Sequence, residues 1–370
     1  MRSRGQRRFP PKVVSAILAG TAGIFGLLIG GCSSSPVTAN TTASSTRPLA
    51  APTKITSSGC SRGSGEGSQD APPTVATSAP FEAAGEFGSY LIDGPAAGAT
   101  VPLPLVFDLH AYLETAQSAD LVTGLSAYGK AHGFITVTPQ VQETVPHWDD
   151  APGSADRAFI VDLLDHIEST RCVNLRRVYI AGYSNGAFMT SSMVCELGGR
   201  LAAVATVAGI QAPAGCHPNR PVPVIAFHGT ADPLVPYHGG GMTAAAKALI
   251  GPDGTGTFGS LVGTPAIAGI APLTAPIPTE LARWASRNHC APHATSTKAA
   301  ADVTLIAFRC PNHDTVELYQ EDGDGHTWPG SKFTNLPAVR AKLGPTTFAI
   351  NADQLIWAFF RSHSLLGQVA

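Results

Sequence analysis

Short apolar runs recur along the chain: PLVFDLH at 104–110, FITVTP at 134–139, RRVYIAGYS at 176–184, LAAVATVAG at 201–209, VPVIAFHG at 222–229 and VELYQED at 316–322. Runs this short, rich in Val and Ile and bounded by turn residues, predict buried parallel strands. Helical spacing lies between them. In 118–132, Leu121, Val122, Leu125 and Tyr128 share a face. In 155–170, Phe159, Ile160, Leu163, Leu164 and Ile167 form a stripe with Asp162, Asp165 and Glu168 opposite. Leu355, Ile356, Phe359 and Phe360 form another, behind Asn351 as a predicted N-cap. Strand, helix, strand repetition predicts a mostly parallel sheet covered on both faces. Residues 238–278 break the rhythm with Gly, Ala, Thr and Pro, and read as a long insertion over the sheet's edge or mouth.

The N-terminus follows a different pattern. Residues 1–12 carry Arg2, Arg4, Arg7, Arg8 and Lys12 with no acid, and residues 13–30 are uncharged and apolar. Ile29-Gly30-Gly31-Cys32 then resembles a bacterial lipobox, so residues 1–31 read as a lipoprotein signal peptide with Cys32 as the acylated thiol. The competing reading is a membrane-spanning helix, since the apolar run reaches the lower limit of length. The glycines at 20, 23, 26 and 30 weaken that helix. Residues 32–56, dominated by Ser, Thr, Pro and Ala, cannot offset their ordering entropy by burial and read as a flexible tether. The folded catalytic domain is expected over 57–370.

Charge narrows the function classes. Charged residues make up 14% of the chain, against roughly 25% in an average soluble domain. Without the first 31 residues, 19 basic side chains face 26 acidic ones. That balance argues against nucleic acid or anionic lipid as a partner and leaves the lipid anchor as the sole membrane contact. A monomer is expected. Six cysteines remain beyond Cys32, and an even number in an exported chain suggests disulfides. Short separations favour Cys195–Cys216 and Cys290–Cys310, leaving Cys60 with Cys172; buried free thiols are the alternative.

Three strand ends carry chemistry. Gly182-Tyr183-Ser184-Asn185-Gly186 follows one predicted strand and precedes a helical run, which is the context of a G-x-S-x-G nucleophile elbow. The tight turn needs glycine on its flanks, holds Ser184 Oγ above the sheet, and aims the Asn185 N–H at a developing oxyanion. Asp232, in HGTAD at 228–232, ends the next strand but one. On its own it reads equally well as a turn cap before Pro233. His326, in DGHTWPG at 324–330, follows the last predicted strand and suits a general base. The order Ser, Asp, His, each at a strand end, is that of α/β-hydrolases. The loop after 104–110 would supply the second oxyanion donor, assigned to the backbone N–H of Tyr112, with His110 packing beneath as a structural residue. Asp322 and Asp324 form a lone DxD, too little for a calcium loop. No metal or organic cofactor is expected.

The chain resembles the secreted polyhydroxybutyrate depolymerase and feruloyl esterase group of carboxylesterases. The resemblance is carried by SSGC at 57–60, PLVFDLH, Trp148 followed by DRAFIVDLLDHI, CVNLRRVYIAGYSNGAFM at 172–189, Cys195, HGTADPLVPY, Trp284 with Asn288 and Cys290, GHTWPG and WAFF at 357–360. It implies an α/β-hydrolase fold, disulfides near those cysteines, and triad roles on Ser184, Asp232 and His326. Two positions depart from the group. His110-Ala111 stands where His-Gly is usual, and Gly186-Ala187 where a glycine pair is usual. The methyl of Ala111 predicts an altered oxyanion loop. Tyr183, Trp148, Tyr237 and Trp328 are candidates to line an aromatic-acyl or polymer surface, with core packing as the alternative. The expected activity is serine ester hydrolysis on feruloylated or acetylated polysaccharide or on a polyhydroxyalkanoate. A peptidase or lipase with the same triad, or a non-catalytic cell-wall carbohydrate-binding lipoprotein, are the alternatives.

Overall fold

A computed structural model of the chain describes residues 55–60, 77–95, 101–241 and 274–365. The signal peptide, Cys32, the tether up to residue 54, and residues 242–273 of the proposed insertion lie outside the described residues.

In chain order the elements are β1 (Thr77–Ala83), β2 (Glu86–Asp93), β3 (Leu103–Leu109), α1 (Ala116–Thr123), α2 (Leu125–His132), β4 (Ile135–Val141), α3 (Ala155–Thr170), β5 (Val173–Tyr183), α4 (Asn185–Leu197), β6 (Ala203–Val207), β7 (Val224–Gly229), α5 (Ile277–Arg287), β8 (Ala294–Ala300), β9 (Val303–Phe308), β10 (Val316–Glu321), α6 (Pro337–Leu343) and α7 (Ala352–Arg361). The strands form one sheet in the order β1-β2-β4-β3-β5-β6-β7-β10-β9-β8. From β4 to β10 neighbours are parallel; β1, β2 and β9, β8 are antiparallel additions at the two edges. This is the α/β-hydrolase arrangement, with β3, β5, β6, β7 and β10 at its centre.

Alternation along the central strands explains why both faces are dry. Leu105, Phe107 and Leu109 of β3, with Val178 and Ile180 of β5, pack on one side against Phe159, Ile160, Leu163 and Leu164 of α3 and Met189 and Met193 of α4. Val106, Tyr179 and Ala181 face the other way, onto Ile356, Trp357 and Phe360 of α7. Tyr179 stacks on Phe360 with ring centroids 4.4 Å apart. The stripe expected in 155–170 is buried throughout, behind a Ser154 cap that accepts from the Arg157 N–H. The Asn351 cap likewise accepts from the Gln354 N–H at 2.9 Å.

The helix expected over 118–132 is two helices. Gly124, at φ +69, ends α1 and begins α2. The break re-aims α1, so Leu121, read as part of the apolar face, is 66% exposed. The antiparallel strands β1, β2, β8 and β9 were not signalled by apolar runs. At the two ends of the proposed insertion, Gly240 and Thr274 pair as an antiparallel bridge. Its C-terminal boundary moves in, because Ile277 already begins α5 and is buried with Leu281 and Trp284.

Three disulfides join Cys60–Cys172, Cys195–Cys216 and Cys290–Cys310. The second fastens α4 to the loop after β6; the third links the end of α5 to the end of β9.

Candidate active site

The site lies where the central parallel strands end. Between β5 and α4 the chain reverses within one residue: Ser184 takes φ 56 and ψ −115, a conformation costly to any residue with a side chain. Two absences of side chain permit it. A Cβ on Gly182 would run into the main chain of Gly186 and the Thr190 hydroxyl, and a Cβ on Gly186 would run into the carbonyl oxygens of Leu109 and His110. The turn is closed by Ser184 N–H donating to Val207 O at 2.8 Å and by its carbonyl accepting from Ala187 N–H at 2.9 Å.

His326 reaches this serine from the loop after β10. Its Nε2 lies 2.7 Å from Ser184 Oγ, and its Nδ1 lies 2.8 Å from Asp232 Oδ2. The carboxylate only accepts, so Nδ1 carries the hydrogen and Nε2 is left to accept from the serine hydroxyl. The His326 main chain is fixed on both sides: its N–H donates to Leu343 O at 2.7 Å, and its carbonyl accepts from Tyr183 Oη at 2.7 Å. Asp232 sits in the turn after β7, buried. Its Oδ1 accepts the N–H groups of Leu234 and Val235 at 2.8 and 2.9 Å. Burial alone would raise its pKa, but the imidazoles of His326 and His228 outweigh burial and hold it below the usual carboxylate range. The group therefore stays ionised at neutral pH.

Opposite the elbow, the loop after β3 is a turn. Glu114 N–H donates to Ala111 O at 3.1 Å and Leu113 N–H to Pro146 O at 2.8 Å. The Glu114 carboxylate folds back to accept the Ala111 N–H at 3.0 Å. Positive φ falls on Leu113, at 66, and not on Ala111. The alanine that stands for glycine is therefore accommodated, and the unusual backbone sits two residues on. Tyr112 lies within this turn, and Asn185 is the first residue of α4, where the N–H has no carbonyl one turn back to bond. The Asn185 side chain does separate work. Its Oδ1 accepts the Trp148 N–H at 2.7 Å and its Nδ2 donates to the Trp148 carbonyl at 3.1 Å, while Trp148 Nε1 donates to His110 O at 3.1 Å. One tryptophan thus ties the elbow to the end of β3.

No family model matches the chain. A provisionally named esterase, NocK of Nocardia uniformis subsp. tsuyamanensis, is 30% identical over 252 residues, covering 64% of this chain and 68% of that one. Feruloyl esterase B of Piromyces equi is 35% identical over 25% of this chain and 19% of its own. Poly(3-hydroxyalkanoate) depolymerase C of Paucimonas lemoignei is 32% identical over 29% of this chain and 28% of its own. The chain belongs to this family of carboxylic ester hydrolases. It spans two thirds of NocK and under a third of the other two proteins. An acetyl xylan esterase structure from Aspergillus awamori overlays with TM-score 0.47 at 13% identity, over 76% of this chain and 98% of that one.

The esterase corrects one set of expectations. Tyr183, Trp148, Tyr237 and Trp328 do not form an open substrate surface; all four are buried. Their polar atoms point inward: Tyr183 to His326 O, Trp148 to His110 O, Tyr237 Oη to Gln320 Oε1 at 2.7 Å, and Trp328 Nε1 to Asp353 Oδ1 at 2.9 Å. They hold the walls of the site. His110 is packed against Trp148, ring centroids 4.6 Å apart, and burial lowers its pKa to about 4. Sequence reasoning missed Glu114, the clamp made by Asn185, and His228, which lies four residues before Asp232 and shares its carboxylate. The HGTAD spacing was the available signal for His228. Among the described residues no helix is long and apolar enough to cross a membrane, and no cluster of His, Cys, Asp or Glu is arranged to hold a metal ion.

Proposed function

We propose that the chain is an exported, lipid-anchored serine esterase that cleaves acyl esters of polysaccharide or polyhydroxyalkanoate type. The observation that carries this is the single imidazole bridging Ser184 Oγ at 2.7 Å and Asp232 Oδ2 at 2.8 Å, with the serine on a strained elbow. His326 takes the serine proton as Oγ bonds to the ester carbonyl carbon, and Asp232 stabilises the imidazolium. The carbonyl oxygen becomes an oxyanion, stabilised by the Asn185 and Tyr112 N–H groups. His326 then protonates the departing alcohol, leaving an acyl-enzyme. Water, deprotonated by His326, releases the acid and restores Ser184. This sequence uses no metal or organic cofactor. The substrate class is supported by the feruloyl esterase and depolymerase named among the relatives. Export is supported by the basic, then apolar, N-terminus and the Ile29–Cys32 tetrapeptide.

A serine-directed fluorophosphonate should label Ser184, and Ser184→Ala should lower turnover of an activated ester by about 10⁴-fold or more with the fold intact. Labelling elsewhere, or wild-type turnover in folded Ser184→Ala, would remove the assignment. p-Nitrophenyl esters of graded length beside methyl ferulate resolve the acyl preference. Cys32→Ala should leave the protein unprocessed or free it from the membrane fraction; unchanged membrane attachment and mass would remove the anchor.

A further inference from the structure

Asp232 has a second imidazole on the oxygen that holds His326. His228, the penultimate residue of β7, is buried, and its Nε2 lies 3.3 Å from Asp232 Oδ2 and 2.8 Å from the carbonyl oxygen of Val235. A carbonyl can only accept, so the hydrogen of His228 sits on Nε2. Nδ1 is buried and has no hydrogen-bond partner among the described residues. The Nε2 N–H donates to the Val235 carbonyl, and Asp232 Oδ2 lies 3.3 Å from the same nitrogen. The carboxylate thus receives two backbone N–H groups on Oδ1 and the His326 N–H on Oδ2, with the His228 nitrogen 3.3 Å from that same oxygen.

We infer that His228 is a positioning residue of the esterase, a fourth member of the chain Ser184–His326–Asp232, which restrains Asp232 Oδ2 and disperses its negative charge. The inference rests on the triad reading. It differs from a structural role because it predicts a defined change in proton affinity at His326. With the His228 donor gone, the charge on Oδ2 is less dispersed and grips protonated His326 more tightly. The free-base form then appears only at higher pH, and the acid limb of kcat/KM moves up. The other titratable groups packed around this chain are Tyr183 at the end of β5, Tyr237 beyond β7, Glu321 at the end of β10, Asp324 in the loop after it and Asp302 between β8 and β9. Each is common to wild type and variant.

The test compares His228→Phe, which keeps a ring without the N–H, with His228→Gln, whose amide reaches the place of Nε2. His228→Phe should lower kcat/KM about tenfold, the worth of one polar contact with a charged group, and shift the acid limb upward. His228→Gln should restore the wild-type limb. In an Asp232→Asn background His228→Phe should shift nothing further. A wild-type limb in folded His228→Phe, or an equal shift with Asp232→Asn in place, overturns the inference. Should His228→Phe not fold, ¹⁵N spectra of histidine-labelled wild type decide. They should show the His228 hydrogen on Nε2, facing the Val235 carbonyl and Asp232, and a hydrogen on Nδ1 instead overturns the inference. Ser184→Ala run in parallel separates the two levels. If it retains turnover the triad reading fails; if only the His228 variants are silent, this inference fails alone.

Discussion

The elbow and the loop facing it are held by opposite means. Around Ser184 the backbone is fixed by what is missing: two glycines whose Cβ atoms would collide with main chain. Around Tyr112 it is fixed by what is added: the Glu114 carboxylate on the Ala111 N–H, the Pro146 carbonyl on the Leu113 N–H, and strain parked on Leu113. Steric fixation leaves a glycine signature and tolerates no substitution. Fixation by hydrogen bonds leaves no motif and responds to pH.

That contrast can be broken at the elbow first. Gly186→Ala would press a methyl against His110 O, 2.6 Å from the ideal Cβ position. We expect loss of about 3 kcal/mol or more, with activity lost beside it, because rigid main chain cannot yield. A folded, active Gly186→Ala with an unchanged melting temperature would show that the elbow is not sterically locked. Next in size is Asn185→Ala. It frees both polar groups of the buried Trp148 main chain, at a cost of about 1–3 kcal/mol, and should depress kcat more than it alters KM. Steady-state kinetics and denaturant melts on the same preparation check both halves.

The elbow was legible in the sequence because its physics is local. A strand, a pentapeptide and a helix start are contiguous, and steric demand writes glycine at fixed places. The central strands were legible for a related reason, since burial on both faces demands near-continuous apolar runs such as VPVIAFHG at 222–229. Strand β8, ATSTKAA, is mostly exposed and carries no such demand. It forms because β9 offers it hydrogen bonds, a partner that its own sequence does not name. The aromatic candidates failed similarly. A tryptophan beside a motif reads as a surface or a wall with equal ease, and only the inward bond from Trp148 Nε1 to His110 O decides between them. In the loop after β3 the sequence pointed to Ala111, whereas the positive φ is carried by Leu113, a position that no motif marks.

Smaller effects sharpen the other side of the contrast. Burial raises the Glu114 pKa to about 7, against the lowering by its bond from the Ala111 N–H. A carboxyl whose folded pKa is raised is stabilising when protonated. Its contribution is complete below the ordinary value near 4.5 and is lost as pH rises through about 7. Glu114→Gln keeps an acceptor and cannot ionise. Wild type should therefore lose more melting temperature than Glu114→Gln between pH 5 and 8; parallel pH profiles would mean that Glu114 does not titrate in this window. Smallest is Leu113→Gly. It relieves about 1–2 kcal/mol of left-handed strain and adds about 0.5–1 kcal/mol of unfolded-state entropy, for a small net gain. A clear drop in melting temperature would place the loop's restraint in the leucine side chain instead.

Residues 55–60 are zipped onto the start of β5. Thr56 pairs with Asn174, Ser57 exchanges bonds with Arg171 and Val173, and Cys60 is bonded covalently to Cys172. In mechanical terms this is a strain relief. Tension arriving from the N-terminal side crosses at Cys60 directly into Cys172, so β1 to β4 and the turn at Tyr112 are bypassed while the sulfur bridge is whole. Reduction would reroute the same pull through the edge strands and the loop that faces Ser184. An enzyme pulled from the N-terminal side and one resting free in solution would then differ in activity only after the thiols are reduced.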